Sequence, residues 1–429
     1  MRAFVFGLVL TLLAACASTR PAPPAAKLDS IAHDYVRLVL EIGAHEEGYI
    51  DAYYGPPELK TAAEAHPRSL ADLREAADRL LVALEDMDYA ALQPLEKKRR
   101  FFLMSHIASA EFRTRMIEGE RVPFAQEANR MLGVAARIEP LSSYDPVLAR
   151  IETLVPGRGP LAERVEAFRR RYIIPRDRLD AVMRAAIAEC RARTAAHIAL
   201  PEGEAFTLEF VTNQPWSGYN WFQGGAKSLI QINTDLPIFI DRAVDLGCHE
   251  GYPGHHTHHA LMEQRLYRGR GWIEVSVYPL FSPSSFIAEG EGNYGVDLAF
   301  PGEERTRFEA EVLFPLAGLD PAAAPAYAAL RRALKDLTLA RIKIAQMYLD
   351  GEIDRPRALE LSQRYRLISP ERAAQDLSFM EKYRSYVINY GLGEIAVREH
   401  IERAGADPAA RWAAMYELLS SPSLPSDLR

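Results

Sequence analysis

His249-Glu250-Gly251-Tyr252-Pro253-Gly254-His255-His256 sets imidazoles around a carboxylate, and the path of its backbone decides how the rest of the chain is read. Together with His258 and His259 it gathers five of the chain's 11 histidines within eleven residues. Imidazole is the side chain that borderline metals such as zinc favour alongside carboxylate. The segment therefore reads as a candidate site for one zinc ion, with Glu250 as the candidate general base. On a regular helix each residue turns by roughly 100°, so His255, six residues on, would face about 120° away from His249. Pro253 occupies the i+4 position where a helical two-histidine motif would place its second ligand. Proline has no N–H to offer the carbonyl of His249, and Gly254 tolerates unusual dihedrals, so a local bulge is predicted that swings His255 beside His249. His256 returns to within roughly 20° of His249 but about 10 Å further along the axis, and stays open as the alternative second ligand.

A hydrolytic zinc site has three protein ligands and one open position, and the third ligand is often a carboxylate from a separate segment. Glu289, within Phe286-Ile287-Ala288-Glu289-Gly290-Glu291-Gly292-Asn293-Tyr294, meets that need, with Glu291 as the alternative. His258 and His259 are expected further along the same helix, outside the ligand set. Cys248 is expected to be a small core residue. The run Gly290 to Gly295 spells the glycine spacing of a dinucleotide-binding turn, but that turn needs a hydrophobic strand before it and a βαβ unit around it. Ser282-Pro283-Ser284-Ser285 precedes it instead. A Gly-x-Ser-x-Gly elbow, Cys-x-x-Cys pairs and a P-loop are all absent from the sequence. Basic residues are spread along a chain of formal net charge −7, so no footprint for nucleic acid is expected.

At the N-terminus Arg2 precedes the apolar run Phe4 to Leu13, and Leu13-Ala14-Ala15-Cys16 matches the lipobox of bacterial lipoproteins. Residues 1–15 read as a lipoprotein signal peptide, too short for a membrane span, whose removal leaves Cys16 lipidated. Residues 16–29, rich in proline and alanine, read as a flexible tether. With Ala17 and Ser18 rather than aspartate after the cysteine, the resemblance to sorted lipoproteins implies the outer membrane, facing the periplasm, in a host that has one. The hydrophobic content of 48% and charged content of 25% are ordinary for a globular chain. Cys190 and Cys248 then remain as thiols; they could pair in an oxidising envelope, but nothing in the sequence shows that they meet, and dependence on a disulfide is not expected.

The dominant periodicity is helical: Ile31, Tyr35, Leu38 and Ile42 share one face, as do Leu70, Leu73, Ala77, Leu80 and Leu84. Breaks are predicted at Gly55-Pro56-Pro57, at Glu139-Pro140 and at residues 156–160, the last separating an N-terminal helical lobe (30–158) from a catalytic region (159–429). Phe206, Leu208 and Phe210 alternate with polar residues and Gly224-Gly225 separates two extended runs, a hairpin signal. Leu229 to Asn233 is the candidate strand edge for docking an extended peptide. Helix is expected again over 322–350, 356–364, 370–389 and 394–404.

These residues carry a resemblance to the bacterial proteins grouped as domain of unknown function 885, which are similar to gluzincin-type metallopeptidases. The family's His-Glu-x-x-Pro-Gly-His-His element is matched by His249 to His256, its Glu-Gly-x-x-x-Tyr element by Glu289, Gly290 and Tyr294, and its Tyr-x-x-Gly element by Tyr390 and Gly393. Ile230 to Asn233 resembles the extended segment that precedes the metal motif, and Glu291 stands where the family often carries tryptophan. The resemblance implies a mainly α, large helical zincin-like fold with a small antiparallel β hairpin or sheet next to the metal-binding helix. It also implies a zinc-dependent hydrolase of peptide bonds, with Tyr390 stabilising the oxyanion and Tyr294, Tyr386 and Arg384 as alternatives. The competing expectation is a non-catalytic envelope lipoprotein that uses the fold for binding or scaffolding.

Overall fold

The computed structural model describes residues 24–429; the stretch read as a signal peptide and Cys16 lie outside the described residues. Helix begins at Pro24, inside the segment read as a tether, and runs to His45. Its predicted apolar face is the buried one: Ile31, Tyr35, Leu38 and Ile42 all enter the core. The helix Leu70–Glu85 repeats the logic, started by Ser69, whose hydroxyl accepts the backbone N–H of Asp72, and sinking Leu73, Ala77 and Leu84. Such a cap satisfies one of the orphan donors of a helix start and contributes about 1 kcal/mol. Helices dominate the remainder, packed around two large apolar clusters. One joins residues 28–165 and 273–281 to residues 330–388, and the other joins residues 172–261 and 286–327 to residues 397–428.

Five strands are present among the described residues: β1 (Ile50–Tyr53), β2 (Ala205–Val211), β3 (Gly218–Gly224), β4 (Lys227–Asn233) and β5 (Val277–Pro279). The antiparallel hairpin is β3–β4, turned through Gly224, Gly225 and Ala226, all at positive φ. β2 adds itself in parallel to the far side of β4, from Ala205 opposite Lys227 to Val211 opposite Asn233. Leu229 to Asn233 is therefore the middle strand and has no free edge, so the docking edge expected there is corrected. The open edge beside the cleft belongs to β3. β1 and β5 form a separate antiparallel ribbon that the helical reading of the N-terminal lobe did not announce.

The expected bulge is real. Asp241–Leu246 is regular helix, Gly247–Gly251 widens into a π turn, Tyr252–Pro253 is cis, and helix resumes at His255–Met262. Gly254 closes the turn by donating its N–H to the carbonyl of Cys248 at 3.0 Å. A Cβ at Gly254 would stand 1.8 Å from the carbonyl oxygen of His249, so no larger residue fits this path. Cys248 points the other way and is disulfide-bonded to Cys190 of the helix Leu179–Ala195, with the Cα atoms 5.3 Å apart. Cys248 is the buried core residue expected, and the pairing left open is answered by the disulfide: neighbouring positions on the helical path face different sides, and Cys248 faces its partner while His249 faces the cleft.

Glu289 rides the helix Pro283–Ala299, which lies against Leu392–Glu402 at backbone contact. A Cβ at Gly290 would be 2.4 Å from the carbonyl oxygen of Gly393, and one at Gly393 would be 2.6 Å from that of Phe286. The glycines that mimic a dinucleotide turn are thus helix-packing residues. The long C-terminal helices expected from periodicity are interrupted, one at residues 336–339 and another by the 3-10 segment Arg384–Tyr390, which carries Tyr386 and Tyr390 to the cleft.

Candidate metal centre

His249, His255 and Glu289 converge, their ligand atoms all within 4.8 Å of one another. Glu289 Oε2 lies 3.1 Å from His249 Nε2, and Glu289 Oε1 lies 3.9 Å from His255 Nε2. Gly292, one turn past Glu289, makes room for this: a Cβ there would meet the His249 ring at 2.7 Å. The Glu289 carboxylate is held from behind by the Tyr386 hydroxyl, which donates to Oε1 at 2.7 Å. Its other oxygen is buried and faces only His249 Nε2, 3.1 Å away. A buried carboxylate oxygen in that position is completed by a cation, either a protonated His249 or a metal ion. Two imidazole nitrogens and that oxygen are a donor set suited to zinc, with one side left open.

Charge balance points the same way. Burial opposes protonation of His249, yet contact with the Glu289 carboxylate and the nearby charge of Glu250 hold its pKa up at about 9. In effect the carboxylates keep a proton where a metal ion would serve. Burial, reinforced by the charge of His249, pushes His255 down to about 3, leaving its lone pair free. For Glu289 burial is outweighed by His249, and its pKa lies below the usual carboxylate value.

The other histidines of the cluster are engaged elsewhere. His256, the alternative ligand, points into the protein, where its Nδ1 meets the Ser228 hydroxyl at 2.8 Å and its Nε2 meets Glu204 at 3.1 Å. His258 faces Glu291 at 2.8 Å, both buried, which removes Glu291 from the ligand set. Two residues past Glu289 on one helix is about 200° of rotation, and Glu291 accordingly looks away from the centre. His259 stacks on Phe222 with ring centres 5.3 Å apart, and burial depresses its pKa far below the usual value.

Glu250 lines the cleft beside the three ligand candidates without joining them. Asn220 of β3 donates to its backbone carbonyl at 2.6 Å, and Gly218 leaves space for its carboxylate, since a Cβ there would stand 2.9 Å from Oε1. Burial raises the Glu250 pKa to about 7, with His249 pulling it down and Glu289 pushing it up. Tyr390 stacks on His249 at 6.5 Å with its ring nearly parallel, and its hydroxyl makes no hydrogen bond among the described residues. The three alternatives for its role are corrected by their contacts. Tyr386 is committed to Glu289, Arg384 pairs with buried Glu127 at 2.8 Å, and Tyr294 is a core residue under Arg398.

Sequence reading missed Asp51 and Tyr219, which hydrogen-bond to each other at the wall of the site. Burial, with the charges of Glu289 and Glu250, lifts the Asp51 pKa well above the ordinary range. An isolated acid between Ile50 and Ala52 carries no motif; only its strand neighbours, brought in from β5 and β3, reveal it.

The chain matches no family model and no curated protein sequence. Among solved structures it is similar to a candidate lipoprotein of Colwellia psychrerythraea, with a TM-score of 0.51, 15% identity, and coverage of 84% of this chain. The chain spans 66% of that protein's length, just under two thirds. A second similarity is to a carboxypeptidase of Pyrococcus furiosus in an apo-magnesium form, with a TM-score of 0.40, 11% identity, and coverage of 92% of this chain and 89% of that one. The first likeness is one of fold; the second carries no argument here.

Proposed function

We propose that this chain is a zinc-dependent hydrolase of peptide bonds, related to the domain of unknown function 885 family and held at the cell envelope by a lipid on Cys16. The observation that carries the reading is the juxtaposition of a three-donor set, open on one side to a cleft of about 550 Å³, with a buried carboxylate that is not one of the donors. A purely structural site needs ligands but no adjacent base. Zinc bound there would supply positive charge and a water whose pKa falls to about 7. Glu250 is placed to accept a proton from the attacking water and to return it to the leaving amine. The free Tyr390 hydroxyl donates to the oxyanion as it develops on the substrate carbonyl. Tyr386 orients Glu289, and the open edge of β3 pairs with an extended peptide. The disulfide supports an oxidising compartment, where such bonds persist. No described helix is long and apolar enough to cross a membrane; the lipid on Cys16 is the proposed attachment, with the outer membrane as the proposed address.

Metal content of the mature chain by mass spectrometry, beside His249→Ala and Glu250→Gln, tests this reading. One zinc per chain is expected in the parent and in Glu250→Gln but not in His249→Ala, followed by peptide cleavage by the parent alone. A parent that cannot be reconstituted with any metal would leave a binding lipoprotein as the better description.

A further inference from the structure

The cleft that opens from the metal centre is uneven in charge. Eight arginine and lysine side chains line it against seven carboxylates, and three of those carboxylates, Asp51, Glu250 and Glu289, stand at the metal end. The remaining wall holds twice as many cations as anions, in a chain whose formal net charge is −7. Several of the cations are short of partners. Arg341 and Arg366 share the single carboxylate of Asp376. Arg372 donates only to the carbonyl of Pro237. Arg331, next to Arg305, has no ion pair among the described residues, and its Nε is buried without an acceptor. Arg242 reaches Asp245 only at 3.5 Å and otherwise meets the Ser217 hydroxyl at 3.0 Å. Guanidinium groups gathered in a concave wall without matching carboxylates favour an anion from outside, and their planar fork suits a carboxylate.

Two of these arginines lie near the reacting point. The Arg341 guanidinium is 5.6 Å from the Tyr390 ring centre, and that ring is 6.5 Å from the His249 ring. At roughly 3.3–3.6 Å per extended residue, the two steps together span about three residues of substrate. Arg242 sits seven residues before His249 on the same helical path and lines the cleft together with His249 and Glu250.

We infer that the substrate carries a carboxylate within about three residues of the bond that is cut, held by Arg341 and Arg242, with Arg331 and Arg372 drawing it in. The scissile bond in this statement rests on the peptidase reading above; the anion-binding wall does not. The carboxylate is either the free end of a peptide, which makes the enzyme an end-trimming one, or an aspartate or glutamate side chain within it.

Zinc-loaded Glu250→Gln protein is titrated by calorimetry with three peptides of one core sequence: a free acid without acidic side chains, its C-terminal amide, and that amide with one glutamate. The free acid or the glutamate peptide is expected to bind about tenfold tighter than the neutral amide, the size of one charge-assisted hydrogen bond. The member that gains identifies the source of the carboxylate. The advantage shrinks in high salt and in an added Arg341→Gln change, at unchanged zinc content. Arg372→Gln, which breaks no ion pair, gives a smaller loss and guards against misfolding of the first variant. Equal binding of the three peptides, or none, overturns the inference. Cleavage by the parent is scored separately. Equal cutting of all three keeps the peptidase reading and discards the wall, whereas preferential binding without cutting keeps the wall and discards the peptidase.

Discussion

His249 and His255 differ from His256 and His258 in how carboxylates are shared out, although all four come from one ten-residue stretch. The first two converge on one carboxylate, Glu289, and both line the cleft. The second two each face a carboxylate of their own, Glu204 or Glu291. His256 is satisfied as it stands by Ser228 and Glu204, and His258 and Glu291 are buried against each other. Two imidazoles that share one acid at the wall of a cleft leave room for a cation between them. Histidine density flags such a region, but the ratio of acids to imidazoles and the access to solvent decide which members can hold a metal.

That contrast can be broken or sharpened by substitution. His249→Ala is expected to bring zinc near zero and peptide cleavage to background, read by mass spectrometry and a fluorogenic peptide; full zinc occupancy would erase the distinction between the two pairs. Glu250→Gln should keep its zinc and lose about 10²- to 10⁴-fold in kcat, the range for a general base. Replacing both Cys190 and Cys248 by serine is expected to cost about 2–4 kcal/mol of stability in denaturant unfolding. A smaller loss, about 10- to 100-fold in zinc affinity by competition with a chelator, is predicted for Tyr386→Phe, which frees Glu289 to rotate. At the far end of the scale, His256→Ala should retain one zinc per chain while losing about 1–3 kcal/mol, because Glu204 keeps Tyr252 and Arg191 as partners. If His256→Ala empties the site instead, the private-acid argument fails.

Much of the centre was legible because its information is local. The proline at i+4 of His249 and the glycine after it demanded a break, and the break chooses His255 over His256. Glu289 could be found from its small, apolar neighbours. The unreadable parts are those made by distant chain segments. Asp51 owes its place to strand pairing with residues near 278, and Arg341 reaches Tyr390 only through tertiary packing. Leu229 to Asn233 read as an edge because alternation shows that a strand exists, not which strands flank it. Cys190 and Cys248 lie 58 residues apart, with no spacing signature to pair them.

The glycine-to-glycine seam between Pro283–Ala299 and Leu392–Glu402 has a mechanical meaning. With Gly290 and Gly393 at backbone contact, and Asn293 donating to the Tyr390 carbonyl at 3.2 Å, two chain segments about a hundred positions apart are fastened to each other. Glu289 and Tyr390 sit on either side of that fastening, so a side chain larger than hydrogen at Gly290 or Gly393 would displace both at once.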